Sequence, residues 1–77
     1  MYYVYALKSA QRKYIYVGMT NNIKRRVKQH QDGREQTTCP YRPFELIHRE
    51  SFKTRPEARS REKYLKSGAG KEFLKSL

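Results

Sequence analysis

Arg26 and His30 stand four residues apart in the stretch "NNIKRRVKQH", a spacing that stacks two side chains one turn apart on a helix. At about 100° per residue, Ile23 and Val27 form the apolar stripe, Arg26 and His30 run along its edge, and Arg25 points to the opposite side. A guanidinium at such an edge either lays its stem over the core or offers its planar donor fork to an anion. Further on, Ala58, Glu62 and Leu65 share one stripe, which places a carboxylate where an apolar side chain belongs. A charge held there needs a partner, either a neighbouring Arg or Lys or a divalent cation. Tyr5 and Tyr16 lie in two runs rich in aromatic and β-branched residues, where they are either packing or hydroxyls close to the arginine and histidine.

These side chains need elements to hold them. "YYVYAL" (2–7) and "YIYVG" (14–18) flank the polar connection "KSAQRK" and read as a hairpin. Pairing Leu7 with Tyr14 sets Tyr5 opposite Tyr16 on one face, with Val4 and Val17 on the other, and Gly18 ends the second strand. "TNN" offers capping side chains for a helix over 22–31. "QDGREQTTCPYRP", punctuated by Gly33, Pro40 and Pro43, has no usable period and reads as a long loop. "FELIHRE" (44–50) alternates as a third strand. Thr54 and Glu57 then form a capping box, with Pro56 in the first turn, for a helix over 55–66 that stops at Gly68. "GKEFLKSL" closes the chain as a short helix with Phe73, Leu74 and Leu77 on one side. The order β-β-α-β-α-α predicts an α+β fold, a small, mainly antiparallel three-stranded sheet flanked by helices, formed as one domain over residues 1–77.

Lys and Arg total 18 against 7 Asp and Glu, a net charge of +11 that suits a polyanionic partner. Lys24, Arg25, Lys28 and Arg42 are the candidate nucleic-acid contacts. The single cysteine, Cys39, supports neither an internal disulfide nor a cysteine-based zinc site. No apolar run is long enough to span a membrane and "MYYVYALKSA" lacks the form of a signal peptide, so a cytoplasmic protein without membrane contact is expected.

Tyr3-Val4-Tyr5, then Tyr16-Val17-Gly18, then Arg26, His30 and Glu62, in that order and spacing, resemble the GIY-YIG nuclease domain. The likeness is to its small stand-alone bacterial type, related to the nuclease domain that opens one component of the repair excinuclease. It runs over essentially the whole chain, including the closing "REKYLKSGAGKEFLK". The resemblance implies hydrolysis of DNA phosphodiester bonds with one divalent cation, Mg²⁺ or Mn²⁺, held by Glu62. Arg26 would clamp the phosphate, Tyr16 or Tyr5 beside it would deprotonate the attacking water or relay its proton, and His30 would position or share that proton. Losing either tyrosine hydroxyl should then slow cleavage and scarcely change stability. The expected activity is a structure-selective endonuclease or nickase, with a role in DNA repair or recombination, acting as a monomer or weak dimer on DNA rather than RNA. The alternatives are a catalytically weak or inactive nucleic-acid-binding module and an RNA- or ribosome-associated protein. Two departures stand out: Met19 where some members carry lysine, and Thr37, Thr38 and Cys39 where many small members have one.

Overall fold

The computed structural model describes residues 1–77. Its strands are β1 (Tyr2–Ser9), β2 (Ile15–Thr20) and β3 (Phe44–Phe52). They form one sheet in the order β2-β1-β3, with both pairings antiparallel, so β1 is central. β2 continues through Gly18 to Thr20 rather than ending at the glycine.

The hairpin register differs from the expected one by two residues: Leu7 faces Tyr16, Tyr5 faces Gly18, and Ala6, not Val4, faces Val17. Because side chains alternate with a period of two, this shift keeps Tyr5 and Tyr16 on the same face and sets their rings diagonally, centroids 6.2 Å apart. Two local causes select this register. The Ser9 hydroxyl accepts the backbone N–H groups of Gln11 (3.3 Å) and Arg12 (3.1 Å), which tightens the turn after a longer β1. Across the sheet, Gly18 leaves room for the Tyr5 phenol, since a Cβ there would lie 2.6 Å from Tyr5 Oη and 2.9 Å from Tyr16 Cε2.

α1 (Ile23–Gln31) starts where the Asn22 side chain accepts the Arg25 N–H at 3.1 Å. α2 (Arg55–Lys66) starts at the expected Thr54 cap, whose side chain accepts the Glu57 N–H at 3.4 Å, but the Glu57 carboxylate accepts the Thr54 hydroxyl at 2.7 Å and not its backbone N–H, so the capping box is only half formed. Ser67 then ends α2 and caps α3 (Gly68–Lys75), so Gly68 opens a helix instead of stopping one. Gly70 sits directly on the backbone of Tyr64 and Leu65, where a Cβ would not fit, and this lets α3 fold back tightly onto α2.

The helices take opposite faces of the sheet. α1 sets Ile23 and Val27 against Tyr5, Leu7 and Phe44. α2 and α3 contribute Ala58, Leu65 and Leu74 to a core with Val4, Ala6 and Val17. Of the three apolar residues expected along the last helix, only Leu74 is buried; Phe73 stays exposed and packs edge-on against His48, and Leu77, exposed too, lies beyond the end of α3. Glu50 on β3 accepts Arg61 Nε at 2.9 Å and bonds His48 Nε2 at 2.7 Å, which ties α2 to the sheet edge. No helix is long and apolar enough to cross a membrane.

Candidate active site

His30 is the centre of the polar side of the molecule. The spacing Ile23, Val27, His30 follows i, i+4, i+7, so the imidazole lies within the apolar stripe and is fully buried, not at the stripe's edge as expected. Its Nε2 is 3.0 Å from Tyr5 Oη, and its Nδ1 is 2.9 Å from Thr38 Oγ1. Burial, reinforced by the Arg26 charge, lowers the His30 pKa, which keeps the ring neutral. Burial, reinforced by Tyr16, pushes the Tyr5 phenol well above its ordinary value, so it keeps its proton.

The network then has one consistent direction. Thr38 Oγ1 donates to the Glu35 carbonyl at 3.4 Å and accepts from His30 Nδ1–H. That leaves Nε2 as the acceptor for the Tyr5 O–H. No buried side-chain nitrogen or oxygen lacks a partner.

Arg26 is half-buried beside the Tyr5 hydroxyl. Its Nη1 donates to Glu35 Oε1 at 2.6 Å and to Gln29 Oε1 at 2.9 Å. The hydrogen bond from Arg26, reinforced by its charge, holds the Glu35 carboxyl below its usual range. Tyr16 is half-buried, its ring centroid 4.7 Å from that of His30. Tyr5, Tyr16, Arg26 and His30 thus meet on one face of the sheet.

The basic residues are distributed around this cluster. Arg25 is exposed. Lys24 lines an open cleft of about 400 Å³ with Tyr3, Asn21, Asn22, Arg49 and Ser51. Lys28 is exposed and pairs with Asp32 at 3.3 Å, and Arg42 lies over Gly33, whose φ of +77° suits a residue without a Cβ.

Glu62 belongs to the opposite layer. Its carboxylate pairs with Lys66 at 3.2 Å and Arg59 at 3.8 Å on its own helix, and no hydrogen bond or ion pair joins it to Tyr5, Tyr16, Arg26 or His30. On α2, Arg61 and Glu62 flank the buried Ala58–Leu65 stripe on opposite sides. Arg61 reaches β3, so Glu62 lies on the β2 side. No group of three or more His, Cys, Asp or Glu side chains is gathered anywhere as a ready metal cage. A lone carboxylate suits a hard cation that keeps most of its waters, such as Mg²⁺, and does not suit zinc.

Glu35, Thr38 and Gln29 were not among the candidates read from the sequence. Gln29 follows Arg26 by three on the same helix, and that spacing is the one signal that could have found it. Glu35 and Thr38 lie in the loop after α1, where no periodicity says what a side chain touches.

Residues 1–74 match the family model described as the GIY-YIG catalytic domain. The chain is 40% identical to a UPF0213 protein of Clostridium perfringens, covering 86% of this chain and 71% of that one. It is 41% identical to a UPF0213 protein of Limosilactobacillus reuteri, covering 99% and 81%. Among solved structures it resembles the UPF0213 protein BH0048 of Bacillus halodurans with a TM-score of 0.58 and 34% identity, over 99% of this chain and 84% of that one.

Proposed function

The chain belongs to the GIY-YIG catalytic-domain family, a nuclease family, and from that membership we propose that it hydrolyses DNA phosphodiester bonds on the face bearing Tyr5, Tyr16, Arg26 and His30. The observation that carries this reading is the buried Tyr5–His30 bond of 3.0 Å beside a half-buried arginine, a preorganised polar constellation in an otherwise thin core. Residues 1–77 act as one unit, a monomer or weak dimer in the cytoplasm, in DNA repair or recombination. The available contacts, Lys24, Arg25, Lys28 and Arg42, suit phosphates rather than base edges, which supports selection of DNA structure over sequence and an endonuclease or nickase activity.

In this reading Arg26 binds the non-bridging oxygens of the scissile phosphate and holds them more strongly as attack raises their charge. The water oxygen forms the new bond to phosphorus, the bond to the 3′ oxygen breaks, and the products are a 3′ hydroxyl and a 5′ phosphate. Tyr16, half-buried and without an intramolecular hydrogen bond through its hydroxyl, orients the water and relays its proton outward. Tyr5 and His30, whose protons are committed to each other and to Thr38, keep Arg26 and Tyr16 in place. Glu62, in the opposite layer on its β2 side, is the residue that would hold Mg²⁺ or Mn²⁺ for a phosphate bound at the β2 edge, and the chemistry such a cation supplies when bound is polarisation of the phosphate and neutralisation of the leaving oxygen.

One observation favours a second reading, a nucleic-acid binder without cleavage: the Glu62 carboxylate is already paired with Lys66 and Arg59. A single experiment separates the two. Purified protein is incubated with labelled linear, nicked, flapped and branched DNAs in Mg²⁺, Mn²⁺ or chelator. The nuclease reading expects cleavage with metal, none with chelator and none from Glu62→Gln. Binding with no cleavage of any substrate would establish the second reading in its place.

A further inference from the structure

We propose that Glu35, with Gln29, is a positioning residue for Arg26 that turns one edge of its guanidinium toward an incoming phosphate. The inference rests on the reading of Arg26 as the phosphate clamp. A guanidinium carries five N–H donors, two of them on Nη1. The acceptors Glu35 Oε1 at 2.6 Å and Gln29 Oε1 at 2.9 Å together occupy both Nη1 hydrogens. What remains is the Nε–Nη2 edge, whose parallel donors match two oxygens of one phosphate.

Glu35 is itself held in place. Its carbonyl accepts the Cys39 N–H at 2.8 Å and the Thr38 N–H at 3.2 Å, so the segment between α1 and β3 turns tightly just after it. The same carbonyl accepts Thr38 Oγ1, whose other partner is His30 Nδ1. Arg26 is therefore joined through Glu35 and Thr38 to His30 and Tyr5 in one chain of bonds, and the orientation of the arginine is coupled to that of the buried histidine.

This arrangement has an unusual consequence. The Glu35 carboxylate stays ionised beside the path of a polyanion, so it opposes binding while it orients the group that stabilises the reaction. Removing it should move affinity and rate in opposite directions. A carboxylate that merely blocked the clamp would, when removed, raise both; a purely structural one would lower both; an idle surface pair would change neither.

The test uses the full chain with Glu35→Ala, Glu35→Gln and Arg26→Ala, each checked for folding by circular dichroism. Single-turnover cleavage of one labelled DNA, measured against protein concentration, gives the plateau rate and the half-saturating concentration. For Glu35→Ala the plateau should fall about tenfold while half-saturation shifts severalfold toward tighter binding. Glu35→Gln should recover most of the rate, since its amide oxygen still accepts from Nη1, while keeping the tighter binding. Any of the three other sign patterns overturns the proposal. An Arg26→Ala variant at wild-type rate would instead overturn the clamp reading beneath it. A second readout is independent of activity: ¹⁵N NMR should resolve separate Arg26 Nη signals in the wild type and in Glu35→Gln, and a merged, freely rotating signal in Glu35→Ala. Resolved signals in Glu35→Ala would show that the carboxylate does not hold the guanidinium.

Discussion

Val4 and Tyr5 are neighbours on the central strand, both fully buried, and they look into opposite chemistries. Val4 joins Ala6, Val17, Ala58, Leu65 and Leu74 beneath α2 and α3, where contact is non-directional and any well-fitting apolar shape serves. Tyr5 looks toward α1, where its hydroxyl must meet His30 Nε2 and the imidazole must in turn meet Thr38. The first face supplies cohesion, and the second holds directions. A small domain has little surplus stability, so placing a polar network on one face leaves the apolar face to offset its desolvation.

The comparison breaks most visibly at Leu65. Leu65→Ala opens a cavity in the apolar face and should cost about 2–5 kcal/mol, read as a shift in the denaturant midpoint. Cleavage per folded molecule should remain near wild type. A rate loss in the folded fraction would mean that the two faces are mechanically coupled. On the other face the balance reverses: Arg26→Ala should slow the reaction roughly 10²-fold or more with a small change in stability. Arg26→Lys should not restore the rate, because a point charge lacks the planar fork.

Tyr5→Phe tests whether the polar face is structural as well. The hydroxyl donates to a fully buried nitrogen, and its loss leaves His30 Nε2 unsatisfied, at a cost of about 1–3 kcal/mol in addition to any slowing of cleavage. This departs from the expectation, drawn from the sequence, that the ring would keep its packing and the stability would hardly move. A denaturation midpoint equal to wild type would show that water replaces the lost donor.

The element order was legible because each element carries a local signal: β-branched and aromatic runs for the strands, Thr54 and Glu57 for the start of α2. The faces were legible too, since a period of two keeps Tyr5 with Tyr16 whichever even shift the hairpin takes. For the same reason the register was not: registers two residues apart present the same pattern, and Ser9 and Gly18 choose between them through contacts that exist only after folding. Helical spacing set Arg26 and His30 close together on one side of α1, yet the full burial of His30 was missed because a histidine was assigned to the border of a stripe whose i+7 position it fills. Glu35 and Thr38 had no periodic signal at all. They reach the site through a loop whose path depends on the sheet beneath it.

Acid should separate the faces next. The His30 pKa is lowered in the folded protein, so the unfolded chain binds the proton more readily, and stability rises with pH through that interval. The stabilisation is fully present above the unfolded value of about 6.5 and is lost as pH falls from there toward the folded value. Glu35 and Glu50, also lowered, add losses only once the carboxylate range is reached. The melting temperature should therefore decline on going below about pH 6.5, and His30→Asn should flatten that first decline while lowering stability throughout. A wild-type melting temperature that stays level down to the carboxylate range would mean that His30 accepts a proton without disturbing Tyr5 and Thr38.

The smallest effect belongs to Arg25, and it sharpens the contrast within one helix. Arg25 and Arg26 are adjacent and identical in type, but about 100° of helical rotation leaves the first exposed and turns the second toward Tyr5 and Glu35. The Arg25 backbone N–H serves the Asn22 cap and is unaffected by a change of side chain, so Arg25→Ala should leave the melting temperature almost unmoved. If its guanidinium meets a phosphate, the replacement weakens DNA binding a few-fold and makes the dependence of log affinity on log salt about one unit shallower. The plateau rate at saturating DNA should match wild type, because a contact made equally in ground and transition states changes half-saturation and not turnover. Salt titrations of binding alongside single-turnover rates for Arg25→Ala and Arg26→Ala measure both quantities. A plateau loss at Arg25 equal to that at Arg26 would place the reacting phosphate on the outer side of α1, away from the Tyr5–His30 network.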